Sequence, residues 1–256
     1  MTDTLSQYSV LSLYSAMAIY AIAFVLFTLD LAKGASQDNA PVGEAKKVVI
    51  VPERRKLARI AMALTVIGWL LQLAATIMRG LAASRVPWAN MYEFAMTGTL
   101  IITGVFLLVN LKWDMKFLGS FVTGLVLLLL GLAATRYYVE IVPLPPALQS
   151  YWLVIHVFVA TLATGFFALG FALSLMQLLQ TKRENAVAAN QKTRLSFLTR
   201  LPDSVQLENY AYRLIIIGFV LWTFTLIAGA IWAEKAWGRY WGWDTKEVWT
   251  FIIWTI

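Results

Sequence analysis

Residues 117–135 read FLGSFVTGLVLLLLGLAAT, an apolar run that contains no charged residue. Lys116 precedes this run and Arg136 follows it, so the charges begin where the apolar residues end. An α-helix needs about 20 predominantly apolar residues to cross the hydrocarbon core of a bilayer. The run therefore predicts a membrane-spanning helix.

Comparable runs lie on both sides of this one, and the whole composition agrees with them. The chain has 256 residues, of which 60% are hydrophobic and 14% charged, whereas soluble domains are closer to half apolar and a quarter charged. We predict an all-α fold, a polytopic transmembrane helical bundle with six complete spans and the start of a seventh near Val248. The seventh run stops at Ile256, too soon to cross a bilayer, so we expect the protein to continue. The six predicted spans are residues 10–32, 57–78, 93–111, 117–135, 150–180 and 213–233.

Basic residues are distributed unequally between alternate loops, which predicts the orientation. Fifteen of the 21 Lys and Arg residues lie in segments 33–59, 112–116 and 181–213. Since cytoplasmic loops carry the excess of Lys and Arg, these segments are predicted inside, and residues 33–56 form a cytoplasmic polar linker after a first span within 1–32. The N-terminus is then outside. The net charge of +7 is a topology signal on this reading, and we expect the bilayer and no nucleic acid as a partner. The loops predicted outside are 79–92, 136–149 and 234–247.

A dense aromatic cluster follows the sixth span. Residues 237–249 read WGRYWGWDTKEVW, with four tryptophans and one tyrosine. Trp and Tyr favour membrane interfaces, but an interfacial belt accounts for one or two of these rings. Gly238 and Gly242 allow the backbone to turn and to approach a ligand. Asp244 is placed to cap the next helix, and Glu247 lies in its first turn.

A shelf of indole rings with a few charges suits a large, flat, amphipathic ligand, because rings stack on it and polar groups orient it. Haem has this character: an apolar macrocycle, two propionates and an iron that needs axial ligands. Arg239 and Lys246 are the expected partners of the propionates.

His156 is the only histidine, and it lies about 9 Å into the fifth span, on the side of the aromatic cluster. Ionisable side chains inside spans are costly and are therefore functional candidates. A neutral imidazole is a good iron ligand, but a packed, hydrogen-bonded histidine fits the position equally well. The chain has no cysteine, which excludes disulfides, thiolate metal sites and cysteine nucleophiles.

The loop at 79–92 leaves two interpretations open. Pro87 and Asn90 suit a turn, while Trp88 and Tyr92 add aromatic surface before Glu93 begins the third span. The loop is either a turn with interfacial anchors or one wall of the ligand site.

The stretch from Trp237 to Glu247, with Trp249 and Trp254 after it, resembles the tryptophan-rich WWD signature of haem-handling proteins. The likeness is to the CcsA/ResC family of c-type cytochrome biogenesis proteins, also called CcsB, of the system II pathway. The segment around His156 is similar to the family's first external histidine, and residues 87–93 resemble its early outer-loop pattern.

The resemblance identifies residues 57–256 as a CcsA-like haem-handling membrane domain whose WWD loop is 234–249. The family has further histidines after this loop, beyond the last residue of this sequence. The resemblance implies haem b as the ligand, bound non-covalently as a transferred substrate and presented for thioether attachment to the CxxCH motif of apocytochrome c. It also implies a Ccs1/ResB-type membrane subunit as partner, within a holocytochrome c synthase (haem lyase) complex. The implied haem-binding residues are His156 as the axial ligand of the iron, Trp237, Arg239, Tyr240, Trp241, Trp243, Asp244, Lys246 and Trp249.

The residues leave other functions open. One alternative is a haem exporter without synthase activity, a second is an enzyme of lipid-linked sugars that uses Asp244 and Glu247, and a third is a structural membrane subunit. Over these alternatives the resemblance favours cytochrome c biogenesis, in a bacterial inner membrane or a thylakoid membrane, with His156 and the WWD loop on the periplasmic or outer side.

Overall fold

The described part of the chain forms seven α-helices. The computed structural model describes residues 2–35, 56–141, 149–189 and 201–256, with positions 191, 195, 198 and 199 between the last two ranges. A short 3-10 helix, Lys116–Leu118, leads directly into the fourth α-helix. The helices are α1 (Thr2–Ala35), α2 (Lys56–Ala83), α3 (Met91–Lys112), α4 (Gly119–Arg136), α5 (Tyr151–Ala188), α6 (Ser204–Trp237) and α7 (Thr245–Thr255).

The six predicted spans are confirmed as helices, and α1 to α6 are each long and apolar enough to cross a membrane. Four of them run clearly beyond the predicted spans: α1 begins at Thr2, α2 continues to Ala83, α5 continues to Ala188 and α6 begins at Ser204. Hydropathy marks only the apolar part of a helix, and polar turns can continue beyond the lipid. The start of α7 is Thr245 rather than Val248, because Asp244 caps it. The predicted linker 33–56 falls mainly outside the described residues.

Two helix pairs, α1 with α2 and α5 with α6, pack along much of their length, and α3 and α4 lie between them. Glycines allow the close approach within each pair. A Cβ at Gly68 would lie 2.9 Å from the Tyr20 ring, and a Cβ at Gly218 would lie 2.8 Å from Phe167. Close packing of this kind drives helix association in lipid, where no hydrophobic effect operates between helices.

Polar side chains inside the bundle are paired across helices. The Tyr20 hydroxyl donates to Gln72 Oε1 at 2.9 Å, and Gln72 Nε2 donates to the Met96 carbonyl and to Thr99 Oγ1, each at 2.8 Å. These bonds join α1, α2 and α3 at a depth where an unpaired polar group would be costly. Large apolar side chains such as Leu128 are instead exposed on the outside of the bundle, as a lipid-facing surface requires.

The ends of α2 and α6 meet the beginnings of α3 and α5 at one end of the bundle. Arg85 and Trp88, after α2, line a cavity together with Ser150 and Tyr151 at the start of α5. His156 of α5 contacts α6 near its last turns. The candidate site therefore lies at this end, which we call the loop end.

Candidate functional site

We call the loop between α6 and α7, residues 238–244, the Trp loop. Gly238 ends α6 in the left-handed conformation with φ 68°, and its N–H donates to the Glu234 carbonyl at 2.7 Å. This is the common αL helix ending that glycine adopts without strain. The predicted WWD loop 234–249 is thus irregular only in its centre, since its first and last residues belong to α6 and α7.

Asp244 and Glu247 close the loop on α7. Asp244 Oδ1 accepts the Glu247 N–H at 3.0 Å, and the Glu247 side chain reaches back to the Asp244 N–H at 3.3 Å, which forms a capping box. The predicted cap is therefore confirmed. Glu247 Oε2 also accepts the Gly242 N–H at 2.7 Å, so one carboxylate is bonded to the backbone at two points of the Trp loop.

Lys246 and Arg239, the two predicted propionate partners, make different contacts. Lys246 Nζ is 2.8 Å from Asp244 Oδ2 and 4.1 Å from the centre of the Trp237 ring. The hydrogen bond from Lys246, together with that from the Glu247 N–H, holds the pKa of Asp244 below its ordinary value. Arg239 is exposed, and its guanidinium lies against the Cα of Gly242, in the space that a side chain at this position would enter.

His156 is fixed by α6. Its Nδ1 is 3.1 Å from the Thr225 carbonyl oxygen. A carbonyl oxygen only accepts, so Nδ1 carries the proton in the neutral ring and Nε2 keeps its lone pair. A Cβ at Gly229 would lie 2.9 Å from His156 Cε1, so the glycine provides the space that the imidazole occupies.

An aromatic series connects His156 with Trp237, the last residue of α6 before the Trp loop. The imidazole stacks on Trp232 with centroids 6.0 Å apart and planes at 18°, and Trp232 meets Trp237 edge to face at 4.8 Å. The Lys246 ammonium in turn lies over the ring of Trp237. The structure thus brings His156, Trp237 and Lys246 together, with Trp232 between them.

The other predicted rings lie on the surface of the loop and of α7. Trp241 and Trp243 pack edge to face with centroids 5.7 Å apart. Tyr240, Trp243 and Trp249 are exposed. The structure joins none of these rings directly to His156 among the described residues, so their common use requires a ligand that spans the distance.

The loop before α3 has a structural core. Glu93 is fully buried and accepts hydrogen bonds from Arg79 Nε at 3.1 Å, Arg85 Nη1 at 2.7 Å and the Ala89 N–H at 3.0 Å. Tyr92 is also buried, under the Arg79 guanidinium at 5.4 Å. Tyr92 and Glu93 therefore belong to the interior of the bundle, and neither is exposed as an interfacial anchor or as a wall of the ligand site.

Sequence reasoning missed four features of this end. Trp232, Gly229 and the Thr225 carbonyl surround His156, and Glu247 holds the Trp loop. The Gly229–Trp232 spacing of three residues puts both on one helix face, which is the only signal in the sequence that links them. Nothing local links either to His156 on another helix.

His156 is not part of a cluster of metal-binding side chains in the described part of the chain. Across the ranges that the structure describes, no three His, Asp or Glu side chains come close enough to hold a bare metal ion. A lone imidazole is suited to a metal whose other positions are already filled, as they are in a metalloporphyrin.

Six apolar helices and an exposed tryptophan-rich loop near a half-buried imidazole define a polytopic integral membrane protein with an aromatic surface site. The chain belongs to the cytochrome c assembly protein family, whose family model matches residues 88–256.

Similar proteins bear the name cytochrome c biogenesis protein CcsA. The chain is 31% identical to that of Trieres chinensis, over 70% of this chain and 65% of the relative. It is 33% identical to that of Prochlorococcus marinus, over 70% and 64%, and 34% identical to that of Cyanophora paradoxa, over 70% and 67%. The matches thus span about two thirds of the length of these relatives.

Proposed function

We propose that this chain acts in cytochrome c biogenesis by binding haem at the Trp loop and presenting it for covalent attachment to apocytochrome c. Its relatives carry the name of that process. One observation carries the proposal: His156 donates from Nδ1 to the Thr225 carbonyl. Its Nε2 lone pair is thereby left for iron, beside a series of indole rings.

The residues present fit haem. Trp237, Tyr240, Trp241, Trp243 and Trp249 offer apolar faces, most of them exposed, for a macrocycle to stack on. Arg239 makes no hydrogen bond or ion pair with the described residues, so its guanidinium is available to a propionate.

Lys246 is the second cation, and it is anchored rather than free. Its ammonium is already shared between Asp244 and the Trp237 ring. Asp244 therefore acts on haem through Lys246 and through the cap of α7. Both roles fix the position of the charged groups at the start of α7.

Haem supplies the iron and the vinyl groups of the reaction. In thioether formation the S–H of each substrate cysteine adds across a vinyl double bond. No cysteine of this chain takes part, because it has none. The work of the chain is to bind the porphyrin, to orient it through His156 and to keep the vinyl edge open to the CxxCH motif.

The proposed partners and membrane side follow from the loops. Positive charge is concentrated in the loops opposite to the Trp loop, and this distribution favours a loop end outside the cytoplasm. There it meets a secreted apocytochrome, together with a Ccs1/ResB-type subunit. Since the chain has no natural cysteine, a Tyr240→Cys variant tests the side directly. Labelling by a membrane-impermeant maleimide in intact cells supports the proposal, and labelling only after lysis contradicts it.

The main test is the visible spectrum of the purified protein after reconstitution with haem. His156→Gly should lose the bound-haem Soret band and should regain it when imidazole is added, because the free base fills the space left by the side chain. His156→Gly with an unchanged spectrum would remove this residue from the site. Thioether formation on apocytochrome c by a reconstituted complex then separates a synthase component from a haem exporter.

A further inference from the structure

Glu247 makes a hydrogen bond that helix capping does not require. We propose that Glu247 is a positioning residue that holds Trp243 in a fixed, exposed orientation for contact with the ligand. The inference rests on the proposed function only in naming haem as that ligand. The positioning itself is a property of the protein without any ligand.

The two backbone groups bound by Glu247 lie on either side of Trp243. Its Oε2 accepts the Gly242 N–H at 2.7 Å and the Asp244 N–H at 3.3 Å. A capping box requires only the second of these bonds. The first and shorter bond reaches back into the Trp loop and contributes nothing to the cap.

Trp243 has a backbone conformation that requires such support. Its φ is 59°, in the left-handed region, which is strained for a bulky residue other than glycine. Strained residues of this kind persist only where the surroundings hold them, and they are concentrated at functional sites. Here the support comes from Glu247 Oε2, which accepts the N–H groups of the residues before and after Trp243.

The carboxylate makes its contacts with backbone rather than with charged side chains. Glu247 is 9% exposed, and within the described residues it forms no ion pair. Its nearest cations by sequence, Lys246 and Arg239, are directed to Asp244 and to Gly242 instead. The structure thus buries a charged group at the edge of the bundle in order to bind backbone N–H groups of one loop.

The consequence is a preorganised ring. Trp243 is 73% exposed, and it meets Trp241 at 87° between the planes. A ring already held in its binding orientation loses less entropy when a ligand stacks on it. Loosening the loop should therefore weaken binding while leaving every ligand-contacting side chain in the protein.

The test compares three variants of the full chain, purified without haem. Glu247→Gln keeps an acceptor oxygen for both N–H groups and removes the charge. Glu247→Asp keeps the charge and loses the reach to Gly242, and Glu247→Ala loses both. Exposed Glu208→Ala, near the opposite end of α6, is the control for a generic loss of carboxylate.

Hydrogen exchange of single amides, measured by mass spectrometry with electron-transfer fragmentation, is the first readout. We expect exchange at Gly242 to rise about tenfold in Glu247→Asp and Glu247→Ala, and to stay near the original rate in Glu247→Gln and in the control. Unchanged exchange at Gly242 in Glu247→Asp overturns the proposal. So does exchange in Glu247→Gln as fast as in Glu247→Asp.

Haem titration, followed by quenching of tryptophan fluorescence, is the second readout. We expect the Kd to rise about threefold in Glu247→Asp, with little change in Glu247→Gln. Exchange that follows the prediction in a protein that binds no haem refutes the proposed function and leaves the positioning role intact. Faster exchange with an unchanged Kd shows that the orientation of Trp243 does not serve the ligand, and it overturns the inference.

Discussion

Two loops at the same end of the bundle begin their following helices in the same way. In the loop before α3, Asn90 accepts the N–H of Glu93 at 2.9 Å. In the Trp loop before α7, Asp244 accepts the N–H of Glu247 at 3.0 Å. In both, the glutamate three residues into the motif turns back and accepts an N–H from the preceding loop. The local sequence signal is the same.

What surrounds the two glutamates separates the loops. Glu93 is completely buried and also binds Arg79 and Arg85, so its loop is fixed to the bundle as an ion-paired plug. Glu247 lies at the edge of the bundle and its described hydrogen bonds go to backbone, so its loop is held in shape while Trp243 stays exposed. A helix start of one kind thus serves architecture in one place and a surface site in another, and long-range partners decide which.

The largest effect expected from this difference is on folding. Glu93→Ala leaves the Arg79 guanidinium buried without its carboxylate, and breaking such a pair costs about 3–5 kcal/mol. Glu247→Ala removes hydrogen bonds at the edge of the bundle and should cost about 1 kcal/mol. The yield of monodisperse protein in detergent and its thermal midpoint measure both. Equal destabilisation by the two substitutions would abolish the distinction between plug and presenting loop.

The next effect concerns the imidazole beside the Trp loop. Gly229→Ala places a methyl group 2.9 Å from His156 Cε1 and should push the ring off the Thr225 carbonyl. We expect haem to bind about tenfold more weakly, because an iron ligand out of place loses about 1.4 kcal/mol or more. Equilibrium titration and the spin state of the ferric haem measure this.

Gly131→Ala is the matched control for that substitution. It lies in the apolar helix α4, and a Cβ there meets nothing within 4 Å. It should leave both the Kd and the spin state unchanged. A Gly229→Ala protein that behaves like this control would show that the position of His156 has no bearing on the ligand.

A smaller effect contrasts one tryptophan from each loop. Trp243→Ala removes an exposed ring from the Trp loop and should raise the Kd for haem about fivefold, as expected for a lost stacking contact. Trp88→Ala alters the cavity next to Arg85 and should leave the Kd unchanged. Fluorescence quenching by haem measures both variants. A larger loss in Trp88→Ala would make the loop before α3 a wall of the haem site rather than a structural plug.

The fold could be predicted from sequence because lipid imposes a simple length and polarity rule. Helix α4 was delimited almost to the residue by the charges at Lys116 and Arg136. The start of α7 followed from the chemistry of Asp244, although hydropathy alone placed it too late. The extensions of α5 and α6 could not be predicted from hydropathy, since polar turns carry no apolar signal.

The site was predicted less completely. The rings of the Trp loop were evident from their density, and Gly238 from its place after a helix. The contact of His156 with Thr225 and Trp232 joins residues about 70 positions apart in the chain, and no local pattern specifies such a pair. The burial of Glu93 under two arginines has the same cause: each partner is ordinary in its own segment.

The smallest expected effect is on the pH dependence of the two caps. The folded-state pKa of Asp244 is lowered by Lys246, so its carboxylate stabilises the start of α7 above the unfolded-state pKa of about 3.9. This contribution disappears as the pH falls through the lower, folded-state value. As the pH falls through that value, the Glu247 amide should lose protection from exchange, after correction for the intrinsic pH dependence of exchange. The Glu93 amide should keep its protection, because the side-chain amide of Asn90 that caps it does not titrate. Lost protection at both Glu247 and Glu93, or at neither, would contradict this assignment.

The central claim is that the single imidazole of the chain is a ligand of the iron at this end of the bundle. Because His156 is the only histidine of residues 1–256, feeding 15N-histidine to cells that express this stretch labels this one ring, provided that the affinity tag contains no histidine. Electron–nuclear double resonance of the ferric haem complex then reads the claim directly. We predict a strongly coupled 15N signal in the labelled protein. A bound haem without any coupling to histidine nitrogen would contradict it.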